Sequence, residues 1–393
     1  MVKMKKSEII SNYLYSEFFA LSRSKINKNA CGDYFDCRRD EEGVTAVVTD
    51  GLGSGIKATI ASRFACSHIM TLMSRGFSLR STVESAAKIM HRAKNTNVSN
   101  YAAFSIARIL SNGSATVITY EAPPPILIKN GVPSVAEQRF YTVKNEIVGE
   151  SRFSLRFGDG IMLMSDGVSQ AGIGHGYAKG WGSDGTAEFV GHKLSAGLSY
   201  HQILTLLLDR TTGISGGFLD DDTTAVFLSC RAGRVMHLMT GPPRDKDKDE
   251  EVVKDFMSQE GIKVVCGSTT ADIVSKATGK TVERQKVSPA FFRPPKYYMQ
   301  GLDLVTEGAI VLNQLYNIVA LLDVDLDMES CVSELAILMR VCDIIHLHVG
   351  GAENTGHNDI AFAQIGIIPR RKIVLMLAEK LREMGKLVIL HEL

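Results

Sequence analysis

No run of the sequence stays apolar for the ~20 residues that a membrane-spanning helix needs. The most apolar stretch, residues 309–322, is interrupted by Asn313, Gln314 and Asn317. No membrane role is expected. A signal-peptide core is missing too, because the basic residues 1–6 are followed by an amphipathic stretch that carries Glu8 and Glu17. Cysteine is sparse: seven in 393 residues, with no Cys-x-x-Cys pair, too few for a disulfide framework. Together these absences point to a reducing, cytoplasmic setting. An excess of charge of one sign is also lacking. Lys+Arg 44 against Asp+Glu 43 leaves a formal net charge of +1, which argues against a nucleic-acid binder. Hydrophobic residues at 45% and charged residues at 22% exclude a disordered, collagenous or coiled-coil chain. At roughly 150 residues per domain, the length leaves room for two or three cores.

Glycine is present but unevenly spread: 15 of 35 fall between Gly149 and Gly217. Before that region the pattern predicts a helix over residues 7–22, a strand over 44–49, and helices over 55–75 and 79–94 with apolar residues three and four apart. The period then falls to two. Residues 102–109, 114–120, 125–129 and 161–165 are β-branched runs separated by Asn-Gly and Asp-Gly turns, the signature of antiparallel hairpins. After strand 223–230 and Arg231-Ala232-Gly233, strands and helices alternate to the end of the chain. The expectation is a two-domain α/β protein: residues 1–233 with helices packed on antiparallel sheets, and residues 234–393 with an at least partly parallel sheet.

Acidic residues recur at the strand ends. Asp50 follows Thr45-Ala46-Val47-Val48-Thr49 and opens Asp50-Gly51-Leu52-Gly53-Ser54-Gly55. Asp166 follows Ile161-Met162-Leu163-Met164-Ser165, Asp220-Asp221-Asp222 precedes an apolar strand, and Asp33 lies upstream. If the strand ending at Asp166 pairs antiparallel with the one beginning after Asp222, distant carboxylates converge. Converging carboxylates repel unless a cation neutralises them, and all-oxygen ligands suit Mg²⁺ or Mn²⁺. Two such ions can activate a water against phosphorus, so the chemistry expected is phosphate-ester hydrolysis. Taken singly, Asp50-Gly51 and Asp166-Gly167 are ordinary turn signals, and three aspartates in a row are ordinarily a solvated turn.

Gly32-Asp33-Tyr34-Phe35, Thr49 to Gly55, Glu121-Ala122-Pro123-Pro124-Pro125, Met164-Ser165-Asp166-Gly167-Val168 and Asp221-Asp222-Thr223-Thr224 occur together and in order. Over residues 25–231 this set resembles the metal-dependent protein phosphatase family (PPM, or type 2C), in its bacterial sporulation stage II E-like branch. The resemblance implies an N-terminal α-β-β-α sandwich and a serine/threonine phosphatase acting on a small phosphorylated regulatory protein. It further implies that Asp50 bridges two Mn²⁺ or Mg²⁺ ions, that Gly51 and Asp33 join the second, and that Asp166 and Asp221 hold the first. Asp50 and Asp166 are then the catalytic pair. A register with Asp220 in place of Asp221 stays open, and no arginine matches the phosphate-binding one of the family's larger members, which leaves phosphate binding to the ions, or to Lys25 or Lys28.

Other features carry two readings each. Gly172 to Gly185, with Trp181, is a loop over the site or a plain surface loop. Cys31 and Cys37 flank Asp33 as a redox pair or as bystanders. His346 and His348, two apart on a strand, with His357 and Asp359, are transition-metal ligands or polar strand-end residues. Gly267-Ser268-Thr269-Thr270, between a strand and a helix, is an anion site or a helix cap, with the cap favoured. The alternative for the whole chain is a silent phosphatase-fold scaffold or a ligand-sensing regulator working through residues 234–393.

Overall fold

The computed structural model describes residues 10–26, 30–53, 55–96, 101–285, 293–321, 326–327, 329–352 and 367–393. Their contacts divide the chain into two compact units: Leu14–Arg231, and Ala232–Leu393 together with the described residues up to Tyr13.

The first unit begins with a long strand, β1 (Ile10–Arg23), where the spacing predicts a helix. Leu14 and Phe18, like Tyr15 and Phe19, stand four apart and so imitate a helical face. The side chains instead alternate. Leu14, Phe18 and Ala20 enter one core while Phe19 and Leu21 enter another, as in a strand covered on both faces. The long-range partner that decides the matter is β11 (Thr223–Thr240), which pairs with β1.

Six antiparallel strands form one sheet, in the order β2 (Asp33–Arg39), β3 (Gly43–Gly51), β4 (Ala102–Leu110), β5 (Ser114–Tyr120), β9 (Glu146–Ser154) and β8 (Arg139–Val143). Within the second sheet β1 and the first part of β11 are joined by β10 (Gly160–Met164), β6 (Ile126–Lys129) and β7 (Val132–Val135). Val44, Ala46 and Val48 face Ile161, Leu163, Val226 and Leu228 between the sheets. On the outer face, Val47, Phe104 and Ile106 pack under α1 (Ile56–Ser74) and α2 (Leu79–Thr96), which supply Ile69, Met70, Val83 and Met90. The other sheet's outer face carries α4 (Gly182–Ser195) and α5 (Tyr200–Ile214), through Val190, Leu204, Leu207 and Leu208. This is the expected α-β-β-α sandwich. Single helices of this length are marginal in water, so burial of such side chains, at roughly 1.5–3 kcal/mol each, holds them in place. Ser199 adds a capping box with Gln202 at the start of α5, worth about 1 kcal/mol.

In the second unit the remainder of β11 is a parallel strand, so residues 223–230 and 235–240 belong to one strand where the sequence suggests two. Its neighbours are β12 (Ile262–Cys266) and β16 (Ile344–Val349), both parallel to it. Beyond them lie β15 (Leu304–Thr306) and β17 (Leu387–Glu392), giving the order β15-β12-β11-β16-β17. Two short antiparallel strands, β13 (Glu283–Arg284) and β14 (Lys296–Tyr298), extend the β15 edge. Helices α6 (Asp249–Ser258) and α7 (Ser268–Thr278) cover one face through Val253, Phe256 and Val274. On the opposite face α8 (Ala309–Ile318), α9 (Cys331–Val341) and α10 (Arg370–Glu383) bury Leu312, Leu335 and Leu377. A parallel sheet wound in both directions from β11 has its chain reversal between β11 and β16, and in such sheets the carboxyl ends of the strands are where ligands collect.

Candidate metal centre

Register alone brings the acidic residues of the first unit together. Asp33 lies opposite Asp50 across β2 and β3. In the second sheet Met164 lies opposite Ala225, and the Ser165 amide donates to the Thr224 carbonyl at 3.0 Å. The end of β10 therefore lies beside the start of β11, and Asp166 opens a one-turn helix, α3 (Asp166–Ser169), next to the triple aspartate. Ser165 links the groups. Its Oγ donates to Asp33 Oδ2 at 2.6 Å and accepts the Thr224 amide at 2.9 Å.

The electrostatic cost of this gathering falls on Asp33 and Asp50. Burial pushes the Asp33 carboxyl up to about 7, against the pull of hydrogen bonds from Ser165 and Thr224. Burial, then the negative charges of Asp33 and Asp166, push Asp50 up to about 10, and its carboxyl shares a hydrogen bond with Asp166. Asp221 is raised mainly by burial. Crowding of this kind is what a bound cation relieves.

The three consecutive aspartates have three different surroundings. Asp220 pairs with His175 at 3.4 Å. Asp221 is half exposed, with Lys25 Nζ at 3.5 Å, and its charge is felt by Asp50. Asp222 is 3% exposed and accepts the backbone amides of Lys25 at 2.9 Å and Gly32 at 2.7 Å. It ties down the segment that carries Asp33. The sequence reading missed both Asp222 and Ser165, although each stands beside an aspartate it singled out.

The residues fit a hard divalent cation in donor chemistry. Asp33 Oδ1 and Asp166 Oδ1 are buried with no hydrogen-bond partner, and oxygens of this kind suit Mg²⁺ or Mn²⁺. The cage itself is not drawn tight. Among the described residues no three His, Cys, Asp or Glu side chains form a closed ligand group, and one oxygen of Asp33 is taken by Ser165.

Residues 40–231 match the family model of stage II sporulation protein E (SpoIIE). This segment is a SpoIIE-family domain of the metal-dependent protein phosphatase class. Solved structures similar to the chain include the phosphatase domain of the cell fate determinant SpoIIE from Bacillus subtilis, at 16% identity and TM-score 0.42 over 56% of this chain and 94% of that one. The RsbU and RsbW domains of a Mycobacterium tuberculosis protein are similar at 19% identity and TM-score 0.45, over 63% and 68%. RsbX in complex with magnesium is similar at 19% identity and TM-score 0.41, over 58% and 100%. Among curated proteins, none matches the chain.

Within the SpoIIE-family segment neither Asp50-Gly51 nor Asp166-Gly167 is a turn. Gly51 ends β3 and Gly167 lies in α3, and neither has positive φ. Each is glycine because backbone comes too close: a Cβ on Gly51 would lie 2.0 Å from the Ala58 carbonyl oxygen, and one on Gly167 would lie 2.1 Å from the Asp222 carbonyl oxygen. Gly51→Ala and Gly167→Ala are each expected to lower stability by about 1–3 kcal/mol, as overpacking does. Urea denaturation checks this, and an unchanged midpoint would show that the backbone yields freely.

The remaining sequence candidates sort as follows. Lys25 stands on Asp221, and Lys28 lies outside the described residues. Of the stretch expected as a loop from Gly172 to Gly185, residues 172–181 are turns closed by backbone hydrogen bonds and Gly182 to Gly185 open α4, with Trp181 set edge-on to Phe189. All seven cysteines are free, burial raises the Cys31 thiol and pushes Cys37 up to about 12, and neither has the thiolate character of a redox switch. His346 and His348 do share a face, and His237 of β11 and His391 of β17 join them in a stack. One ring nitrogen of each is taken up within the stack, His237 Nδ1 with His348 Nε2 at 3.1 Å and His346 Nδ1 with His391 Nε2 at 2.9 Å. His357 and Asp359 lie outside the described residues.

Proposed function

We propose that the chain is a divalent-metal-dependent serine/threonine protein phosphatase whose substrate is a phosphoserine or phosphothreonine in a regulatory protein. The observation that carries this reading is the meeting of Asp33, Asp50 and Asp166 at the strand ends, with two buried carboxylate oxygens left unpartnered, in a SpoIIE-family segment. Asp33, Asp50, the Gly51 carbonyl, Asp166 and Asp221 are the proposed ligands, for two Mn²⁺ or Mg²⁺ ions. When bound, such ions supply Lewis acidity toward a phosphoryl group and a water of lowered pKa.

The chain's own residues prepare that chemistry. Ser165 fixes which oxygen of Asp33 faces the centre. Asp222 anchors the backbone at Lys25 and Gly32 and so keeps Asp33 in register. In this reading the Lys25 ammonium, 3.5 Å from the half-exposed Asp221, is the cation that meets the substrate phosphate. No helix among the described residues is long and apolar enough to cross a membrane, and we assign the protein to the cytoplasm.

The test is hydrolysis of a phosphoserine peptide by the purified chain with and without Mn²⁺. Activity that needs the ion and disappears in Asp166→Asn supports the reading. Hydrolysis that proceeds in chelator, or survives in Asp166→Asn, refutes it.

A further inference from the structure

In the second unit a cleft of about 180 Å³ opens at the carboxyl ends of the parallel strands. It is lined by the chain following β11 (Thr240 to Pro242), the chain following β12 (Cys266 to Thr270), the start of α8 and Arg370 of α10. This location is one side of the strand-order reversal between β11 and β16. Its polar groups are left unsatisfied in an unusual degree. Buried polar groups almost always find a partner, yet Thr240 is 0% exposed and its Oγ1 has none. Arg370 donates through Nη2 to the carbonyls of Gly350 at 3.0 Å and Ala352 at 2.9 Å, while its buried Nε is unpartnered. Among the described residues it has no carboxylate partner.

Two helices begin at this cleft. The cap expected from Gly267-Ser268-Thr269-Thr270 is not made: no side chain caps α7, and Thr270 Oγ1 instead accepts the Gly241 amide at 2.8 Å. No side chain caps α8 either. The first N–H groups of two helices, of 11 and 10 residues, therefore face the same space with partial positive charge. Gly241 is needed for the guanidinium to reach it, since a Cβ there would lie 2.1 Å from Arg370 Cζ. The one acid on the rim, Glu307, accepts the Tyr297 hydroxyl at 2.7 Å.

We propose that this cleft binds a small phosphate-bearing anion, with the phosphate held by the N-terminal amides of α7 and α8, the Thr240 hydroxyl and the Arg370 guanidinium. Each unsatisfied donor in the cleft is one that phosphate oxygens accept from. The size excludes a dinucleotide, because pockets for ligands of drug size run from about 300 to 1,000 Å³. Free phosphate and a phosphomonoester of a small polyol both meet these limits, and Glu307 offers a polyol hydroxyl an acceptor. The proposal is independent of the phosphatase reading of the first unit.

The experiment is calorimetric titration of the full chain with inorganic phosphate and, separately, with glycerol 3-phosphate. Chelator is present and the Asp50→Asn background is used, so that the first unit contributes neither metal-held phosphate nor turnover. Saturable binding with one site, weakened at least about tenfold by Arg370→Ala and severalfold by Thr240→Val, is expected. Tighter binding of the ester identifies a phosphorylated metabolite, and equal or tighter binding of phosphate identifies the free ion. Thr240→Val deletes only an unpartnered hydroxyl, so it folds even where Arg370→Ala does not. Failure of both anions to saturate, or an unchanged affinity in Thr240→Val together with Arg370→Lys, overturns the proposal.

Discussion

Asp50→Asn is expected to cut divalent-dependent phosphoserine hydrolysis by at least about 10³-fold and, in the same molecule, to make the metal-free protein harder to unfold. Both effects come from one arrangement. Asp50 is pushed up to about 10 by burial and by the charges of Asp33 and Asp166, so in metal-free protein its ionised form is disfavoured by the fold around it. An amide in the same place keeps the shape and can donate to Asp166, and it removes the repulsion. The gain is on the order of 1–3 kcal/mol, the range of an uncompensated buried polar group. Added Mn²⁺ reverses the comparison, because a cation neutralises the carboxylates of the wild type and finds one ligand fewer in the variant. Melting temperatures of the two proteins, each with chelator and with Mn²⁺, give the four values needed. A variant less stable than wild type in chelator would mean that Asp50 is structural. A variant stabilised by Mn²⁺ as much as the wild type would remove Asp50 from the ligand set.

Asp50 and Asp166 could be read from the sequence because each follows an apolar run that reads as a strand, and antiparallel pairing then leaves little choice about where strand ends meet; Asp33, which opens β2, was legible only through the order of the motifs. The sandwich of the first unit follows from the same pattern. Register, in contrast, depends on partners far away in the chain. The segment from Ile10 to Arg23 carries apolar residues on both of its strand faces and so imitates a helix until β11 is placed beside it. Asp222 shows the same limit on the scale of one residue. Nothing in Asp220-Asp221-Asp222 distinguishes the three, and only the fold puts the amides of Lys25 and Gly32 within reach of the third. The close backbone contacts of Gly51 and Gly167 are likewise invisible in a sequence where Asp-Gly is a turn signal. The strand order of the second unit, and with it the cleft at Arg370, exists only once β11 has β12 on one side and β16 on the other.

The second unit is expected to lose stability steeply as the pH falls from 7 to 5, well before ordinary carboxylates titrate. Its cause is the histidine stack. His237 and His348 are 4% and 6% exposed, and burial pulls them down to about 4 and about 3, with neighbouring histidines adding to the effect and Lys263 adding to it at His237. Burial and His391 also pull His346 down to about 4. In the unfolded chain each titrates near 6.5. Below that pH the unfolded state binds protons that the folded state refuses, so the stability present above pH 6.5 is lost progressively down to the folded values. With solvent screening allowed for, His237 and His348 each contribute a loss of roughly 1–2 kcal/mol by pH 5. A carboxylate of this unit held low by a cation, Asp327 beside Arg293, loses its contribution only below about pH 4. The interval from 7 to 5 therefore belongs to the histidines. Trp181, the only tryptophan, lies in the first unit, so its fluorescence follows that unit in a urea titration while hydrogen exchange of β16 peptides follows the second. The β16 transition should fall with pH in the wild type and hold level in a His237→Gln, His348→Gln double variant. Equal slopes in the two proteins would show that the stack does not set the pH response.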